Sequence, residues 1–245
     1  MRPIRRDVAP TPADYVNYTD AKPDLVARLG PYCSFCERPV VTQLAVEHVQ
    51  PKGLPVYAHL IGRWNNFLLA CVNCNSTKKN KNVVLSDVIL PDRDNTFAAF
   101  EYLPDGSVQA SPLATGNGLT AIAEATLALT GLDKAAPNTH DENGRQVALD
   151  RVSQRMEVWL NAQEARNDIA KNPNNHMLRS YVIKLATKTG FFSVWMSVFS
   201  GDADMRIRLV NAFPGTAESG CFDMVNGNPV SPAPNPDGLA AGGKI

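Results

Sequence analysis

Short apolar runs separated by turn residues characterise the first third of the chain. Residues 43–49 alternate and are rich in β-branched side chains, and residues 66–70 form a second apolar run, so each predicts a strand. A polar and basic run over 75–81 follows and is typical of an exposed helix. The pattern therefore predicts a strand, a long loop, a second strand and a helix.

The N-terminal region shows helix signals. Thr11-Pro12-Ala13-Asp14 combines a capping hydroxyl, an early proline and a carboxylate three residues on, which predicts a helix start. Residues 22–29 predict a second short helix that ends at Gly30 and Pro31.

The remainder of the chain changes from a hairpin signal to helical spacing. Apolar runs at 98–103 and 107–110 flank Pro104-Asp105-Gly106, which predicts a hairpin. Apolar residues at helical spacing then predict helices over 121–129, 145–171, 177–199 and 206–213. Their aromatic and Met positions are interpreted as packing faces rather than a cofactor site. Residues 226–245, rich in Pro, Gly and Asn, predict a disordered tail.

Composition and charge narrow the possible partners. The 245 residues are 44% hydrophobic, which suffices for a core, and 24 basic residues balance 24 acidic ones. A protein that binds nucleic acid without a partner usually carries a basic excess, so we expect a partner protein or a narrow basic site. No apolar run is long enough for a membrane span and no secretory signal is present, which predicts a cytoplasmic protein with no membrane contact.

Four of the five cysteines form two Cys-x-x-Cys pairs, Cys33 with Cys36 and Cys71 with Cys74. In a reducing compartment this spacing predicts a tetrahedral Zn²⁺ site, closed to substrate and structural in role. A thioredoxin-like thiol site is the alternative, but no βαβ pattern surrounds either pair. Cys221 is left without a role.

The residues between the two pairs suggest chemistry. His48 is suited to be a general base, because imidazole titrates near neutrality. Glu47 and Asn75 offer hard oxygens of the kind that Mg²⁺ binds. Asn66 could hydrogen-bond across the loop to hold the His48 backbone. Lys78 and Lys79 would lie near a phosphate.

Each of these residues also has a plain alternative. A single His is usually a surface residue, Asn is common in turns and caps, and a Lys run is usually a solvated helix face. Their joint order relative to the four cysteines is what favours a catalytic site.

These motifs resemble those of the HNH endonucleases, which have the ββα-metal fold. The matching elements are Cys33-x-x-Cys36, Glu47-His48-x-x-Pro51-Lys52, the run 64–75 and Lys78. The resemblance implies that His48 is the base, that Glu47 and Asn75 bind a catalytic Mg²⁺ or Mn²⁺, and that Asn66 fills the middle, mainly structural motif position. Many members have His where this chain has Asn75, which keeps an oxygen ligand. We also predict nucleic-acid contacts from Lys52, Lys78 and Lys79.

The chain is more loosely similar to HNH proteins of the PtuB type, found in Septu and retron anti-phage systems. That similarity implies a partner, an ABC-type ATPase, and a role in prokaryotic defence.

Together these observations predict an α+β protein: a small zinc-stapled ββα-metal (HNH) module with a mainly α-helical C-terminal part. The expected divisions are an N-terminal helical arm (1–30), the HNH module (31–95), a hairpin plus helical domain (96–225) and the tail (226–245). The expected function is metal-dependent endonuclease cleavage, with DNA favoured over RNA. The alternative is a zinc-stapled module that binds nucleic acid or a partner without cleavage, which the neutral net charge favours.

Overall fold

The computed structural model of the chain describes residues 1–134 and 150–245. Residues 11–14 do not begin a helix; they are exposed and bent, because no apolar stripe follows to bury one face of a helix. A 3₁₀ turn at Tyr18–Ala21 instead leads into helix α1 (Lys22–Leu29), as predicted. Gly30 ends α1 with a φ of 73°, a value that favours glycine.

The two predicted strands form an antiparallel pair. Strand β1 (Ala45–His48) pairs with β2 (Phe67–Ala70), so that His48 lies opposite Phe67. Helix α2 (Val72–Lys78) begins three residues earlier than predicted, because extended Cys71 acts as its N-cap directly after β2. The strand–loop–strand–helix order is therefore confirmed, and Cys74 and Asn75 lie on the helix.

The predicted hairpin is also confirmed. After the short helix α3 (Thr96–Ala99), strands β3 (Phe100–Tyr102) and β4 (Val108–Ala110) pair antiparallel. Helices α4 (Pro112–Gly116) and α5 (Thr120–Thr130) follow, and Gly131 ends α5 in the left-handed conformation.

The C-terminal part is helical: α6 (Arg151–Lys171), α7 (His176–Thr189), α8 (Phe192–Val198) and α9 (Ala203–Ala212). The first residues of the helix predicted over 145–171 lie outside the described residues. The single helix predicted over 177–199 is wrong, because Gly190 and Phe191 both have positive φ and separate α7 from α8. A Cβ at Gly190 would lie 2.6 Å from the Glu37 carbonyl oxygen, so the break brings α7 and α8 onto the cysteine turn.

The prediction of a disordered tail is also wrong. Asp237 forms an ion pair with Arg5 at 2.8 Å, and Lys244 forms one with Asp94 at 3.3 Å. The Ile245 side chain is buried, and its carbonyl oxygen accepts from the Asn95 amide at 3.0 Å. Composition signals disorder because the tail lacks an apolar core of its own. Here the tail is instead held by polar contacts with residues far away in sequence and by the buried Ile245 side chain.

None of the helices in the described residues combines the length and the apolar character that crossing a bilayer would need.

Candidate functional site

The four paired cysteines converge on one point. Cys33 and Cys36 lie on a tight turn, whereas Cys71 and Cys74 lie where β2 passes into α2, and all four are buried. Their sulfur atoms lie within 4.8 Å of one another, with Cys36 Sγ and Cys71 Sγ 3.7 Å apart. A tetrahedral Zn²⁺ ion would hold thiolates roughly 3.8 Å apart. The cluster therefore forms a metal site whose donor set fits zinc.

The four thiols of the cluster perturb one another's protonation. Burial raises the pKa of Cys33 well above its ordinary value, whereas hydrogen bonds from the neighbouring thiols lower that of Cys71. Cys33 therefore tends to keep its proton, whereas Cys71 tends to lose it. Four thiolates at this spacing require a divalent cation for compensation.

Arg151, the first residue of α6, donates to the cluster. Its Nη1 lies 3.3 Å from Cys74 Sγ and 3.1 Å from the Thr130 carbonyl, and its Nη2 donates to the Gly131 carbonyl at 2.5 Å. The guanidinium therefore joins α5 and α6 to the metal site. Sequence reasoning missed this residue, because an Arg that begins a long helix carries no local signal of a thiolate partner.

A cavity of about 300 Å³ opens at Glu47 and His48 of β1 and Asn75 of α2. It is bordered by β1, by α2, by the loop after β1 and by the 3₁₀ turn that precedes α1. The polar and aromatic residues of its lining include Tyr18, Lys22, Glu47, His48, Lys52, Asn75 and Lys79. The structure thus brings the predicted base and both predicted metal ligands to one cavity.

The His48 imidazole is fixed from three directions. Its Nε2 lies 3.0 Å from the Ile61 carbonyl oxygen, and its ring contacts Phe67 at 5.3 Å and Tyr18 at 4.8 Å between centroids. A carbonyl only accepts, so Nε2 carries the proton and the lone pair of the neutral ring lies on Nδ1. Burial lowers the pKa of His48 and outweighs the hydrogen bond to the Ile61 carbonyl, which raises it; nearby Lys52 and Lys78 lower it further, so the neutral form is favoured.

Lys78 does not occupy the position predicted for it. Its side chain is fully buried, and its Nζ lies 2.8 Å from Glu47 Oε1 and donates to the His48 carbonyl at 2.7 Å. The prediction of a nucleic-acid contact is therefore corrected: Lys78 holds the Glu47–His48 backbone and carboxylate from inside the module. Burial raises the pKa of Glu47, and Lys78 acts in the opposite direction.

Asn66 lies beside the segment that follows β1. Its Oδ1 accepts from the Gln50 amide at 2.8 Å, and its Nδ2 donates to the Gln50 carbonyl at 3.0 Å. The side chain is buried and borders a second cavity, which it shares with Gln50. Asn66 therefore pairs with the backbone two residues after His48 and does not line the His48 cavity within the described part of the chain.

The other predicted basic contacts lie at the cavity. Lys52 and Lys79 are exposed and border it, and Lys22 from α1 does so as well. Lys52 Nζ donates to the Tyr18 hydroxyl and lies 3.9 Å from the centre of the Tyr18 ring. Tyr18 and Lys22 were missed by the sequence reasoning, because they precede the motif and no spacing relates them to it.

Comparison with known families gives one match to this part of the chain. The HNH endonuclease family model matches residues 33–81, which span all four paired cysteines, β1, β2 and α2. A search of curated proteins finds no match.

Proposed function

We propose that the HNH endonuclease domain at residues 33–81 of this chain is an active, metal-dependent nuclease that hydrolyses phosphodiester bonds. One observation carries the proposal: the domain brings a neutral, oriented imidazole and two oxygen-bearing side chains, Glu47 and Asn75, to one cavity. A module that only binds would have no need of this set.

His48 acts as the general base in this proposal. With its proton on Nε2 held by Ile61, the imidazole presents Nδ1 to accept a proton from the attacking water. Because burial favours the neutral ring, the base is ready at neutral pH. Phosphorus is then attacked in line by the water that His48 has deprotonated.

Glu47 and Asn75 are the residues that would hold a catalytic Mg²⁺ or Mn²⁺. Lys78 pairs with Glu47 Oε1, so the other carboxylate oxygen and the Asn75 side chain would be the donors to such an ion. Few protein ligands suit Mg²⁺, which keeps most of its waters. When bound, the ion supplies charge stabilisation to the phosphorane and the departing oxygen.

Zinc at the four cysteines has a structural role in this proposal. A site with four thiolates has no open position for substrate. Its ligands join the turn at Cys33 to the start of α2, and α2 carries Asn75 and Lys78. Zinc therefore fixes the helix that contributes the metal ligand Asn75 and the buried Lys78.

DNA is the proposed substrate, with Lys22, Lys52 and Lys79 as contacts to its phosphates. These three lysines lie at the cavity while the net charge of the chain is zero, so non-specific affinity for nucleic acid is expected to be weak. Recruitment by a partner fits this charge balance. The similarity of Glu47-His48-x-x-Pro51-Lys52 to PtuB-type proteins supports an ABC-type ATPase as that partner and anti-phage defence as the role.

The second candidate is a zinc-stapled module that binds nucleic acid or a protein without cutting. The neutral net charge favours it, because recruitment through a partner does not require catalysis. The two candidates differ in what the loss of His48 does: cleavage vanishes, whereas binding persists.

The test is cleavage of plasmid DNA and of total RNA by the purified chain, with Mg²⁺, with Mn²⁺ and with EDTA. We expect metal-dependent cutting of DNA that His48→Ala abolishes at unchanged zinc content and melting temperature. His59→Ala is the matched control, because His59 is exposed and lies in the same loop but outside the His48 cavity. Preferential cutting of RNA would show that the substrate is RNA rather than the proposed DNA.

Absence of cutting by the wild-type chain, with either metal and with a co-purified partner present, would overturn the nuclease and leave the binding module. Equal activity in His48→Ala and wild type would remove His48 from the mechanism.

A further inference from the structure

A segment outside the matched domain reaches the His48 ring. Tyr18 belongs to the segment 14–21, which precedes residues 33–81 in the chain. Its ring meets the His48 imidazole edge-on, at 4.8 Å between centroids and 70° between planes. The predicted nuclease motif alone therefore does not complete the surroundings of its base.

The segment 14–21 is attached to the loop that fixes the other edge of the imidazole. The Tyr15 amide donates to the Gly62 carbonyl at 3.0 Å, and Asp14 pairs with Arg63 at 2.9 Å. The Tyr15 ring stacks on Trp64 at 6.2 Å between centroids. These three contacts bind the segment to residues 62–64, immediately after the Ile61 carbonyl that accepts from His48.

Gly62 permits this attachment. A Cβ at that position would lie 2.3 Å from the Tyr15 carbonyl oxygen, a distance that backbone atoms cannot accommodate without movement. The close approach therefore requires glycine, and any larger residue would displace the segment that carries Tyr18.

We propose that Tyr18 is a positioning residue that holds the His48 imidazole, so that the segment 14–21 forms part of the active site. The inference rests on the proposed nuclease function of His48. Phe67 covers one side of the ring from β2, Ile61 holds Nε2, and Tyr18 closes the remaining side. Removing Tyr18 frees the ring to turn, and Nδ1 is then no longer directed at one point.

The Tyr18 hydroxyl has a separate contact. It accepts a hydrogen bond from Lys52 Nζ, a predicted phosphate ligand at the same cavity. The ring and the hydroxyl therefore serve two different groups: the ring orients the base, and the hydroxyl restrains the lysine. Phe in place of Tyr separates these contributions, because it keeps the ring and removes only the hydroxyl.

The experiment compares Tyr18→Leu and Tyr18→Phe in the full chain, with kcat and KM measured separately on the cleaved substrate. A misdirected base costs on the order of 10- to 100-fold. We expect Tyr18→Leu to lower kcat by that factor with little change in KM, and Tyr18→Phe to restore kcat. Tyr57→Leu is the matched control, because Tyr57 is also half-buried and lies outside the His48 cavity.

A second readout does not depend on activity. The chain has four histidines, so ¹⁵N-labelled imidazole signals can be assigned to His48 with His48→Ala. We expect the Nε2–H form in the wild type, and in Tyr18→Leu a loss of the ring-current shift with exchange between the two tautomers. Gly62→Ala, which displaces the segment without replacing any residue of the cavity lining, is expected to have the same effect and serves if Tyr18→Leu does not fold.

The outcomes separate the two proposals. If the wild-type chain does not cut but the His48 signals change in Tyr18→Leu, the proposed nuclease function is overturned. The role of Tyr18 in positioning the His48 ring is then retained. Normal kcat in Tyr18→Leu, or unchanged tautomer and exchange in both Tyr18→Leu and Gly62→Ala, would overturn the positioning role while leaving the nuclease intact.

Discussion

The Lys78 ammonium forms an ion pair with one carboxylate oxygen of Glu47, where a metal ion would otherwise bind. Its ammonium is fully buried and satisfies both that carboxylate and the His48 carbonyl, so one side chain restrains two adjacent residues of the site. A buried pair of this kind adds little net stability, but removing one partner leaves an uncompensated charge. The residue is therefore expected to determine the geometry of the site through the folding of the module.

Replacement of Lys78 tests this burial. We expect Lys78→Met to lower the free energy of unfolding by about 3 kcal/mol, because the buried Glu47 carboxylate loses its partner. Lys79→Met is the control and should change the free energy by less than about 0.5 kcal/mol, since Lys79 is exposed. Urea denaturation of both variants measures the difference. Equal stabilities would show that the Lys78 ammonium is solvated rather than buried.

At the scale of elements, patterns that are local in sequence were predictable. Strand β1 follows from alternation, β2 follows from a short apolar run, and the hairpin follows from Pro104-Asp105-Gly106 between two apolar runs. The break between α7 and α8 was not predictable, because apolar residues continue at helical spacing through Gly190 and Phe191. The break is set by the close contact of Gly190 and Phe191 with the Glu37 carbonyl, more than 150 residues away in sequence. The local sequence pattern carries no sign of this contact.

A second element hidden from the sequence is a repeat of the cysteine turn. Residues 222–229 have the hydrogen bonds of residues 32–39: the amide of Cys33 donates to the Arg38 carbonyl, and that of Asp223 donates to the Asn228 carbonyl. Asp223 stands where Cys33 does, and its carboxylate accepts from the Val225 amide at 2.7 Å. The second turn thus forms without metal-binding cysteines. The spacing of the cysteines therefore gives no sign of it in the sequence.

Helix α6 is expected to tune the metal site through Arg151. Because its guanidinium donates to Cys74 Sγ, it offsets part of the negative charge of four thiolates. We expect Arg151→Met to release zinc to a chromogenic chelator about 10- to 100-fold more readily, at unchanged stoichiometry before chelation. Arg166→Met, on the same helix but outside the cysteine cluster, is the control. Identical release from both variants would contradict a role for Arg151 at the metal.

At the scale of the whole molecule, the N-terminal segment and the tail meet at a buried carboxylate. Asp92 lies 2.7 Å from Arg6 and 2.8 Å from Arg93, and Arg93 donates to the Ala240 carbonyl at 3.0 Å. Arg6 in turn donates to the Phe67 carbonyl on β2. The network joins the two ends of the chain to the module, and Arg6, Asp92 and Ala240 are too far apart in sequence for any pattern to relate them.

This network should make stability depend on pH in the acid range. Burial alone would raise the pKa of Asp92, but Arg93 and Arg6 hold it below its ordinary value. A carboxyl with a depressed pKa in the folded state contributes stability above its unfolded pKa, near 4, and this stability is lost as the pH falls towards the folded pKa. We therefore expect the free energy of unfolding to fall steadily below about pH 4.

Asp92→Asn isolates that contribution, because it keeps the shape and removes the charge. At neutral pH it should destabilise the chain by about 3 kcal/mol or more, since two buried guanidinium groups lose their partner. Towards pH 2 the difference from wild type should shrink, because the Asp92 carboxyl of the unfolded wild-type chain takes up a proton while that of the folded chain stays charged, which lowers the wild-type stability. Denaturant titrations from pH 7 to pH 2 measure both curves, and Asp105→Asn, at an exposed carboxylate in the hairpin, is the control. A difference that stays constant over this range would show that Asp92 is held by shape rather than by charge, and that the two ends of the chain are joined without an electrostatic contribution.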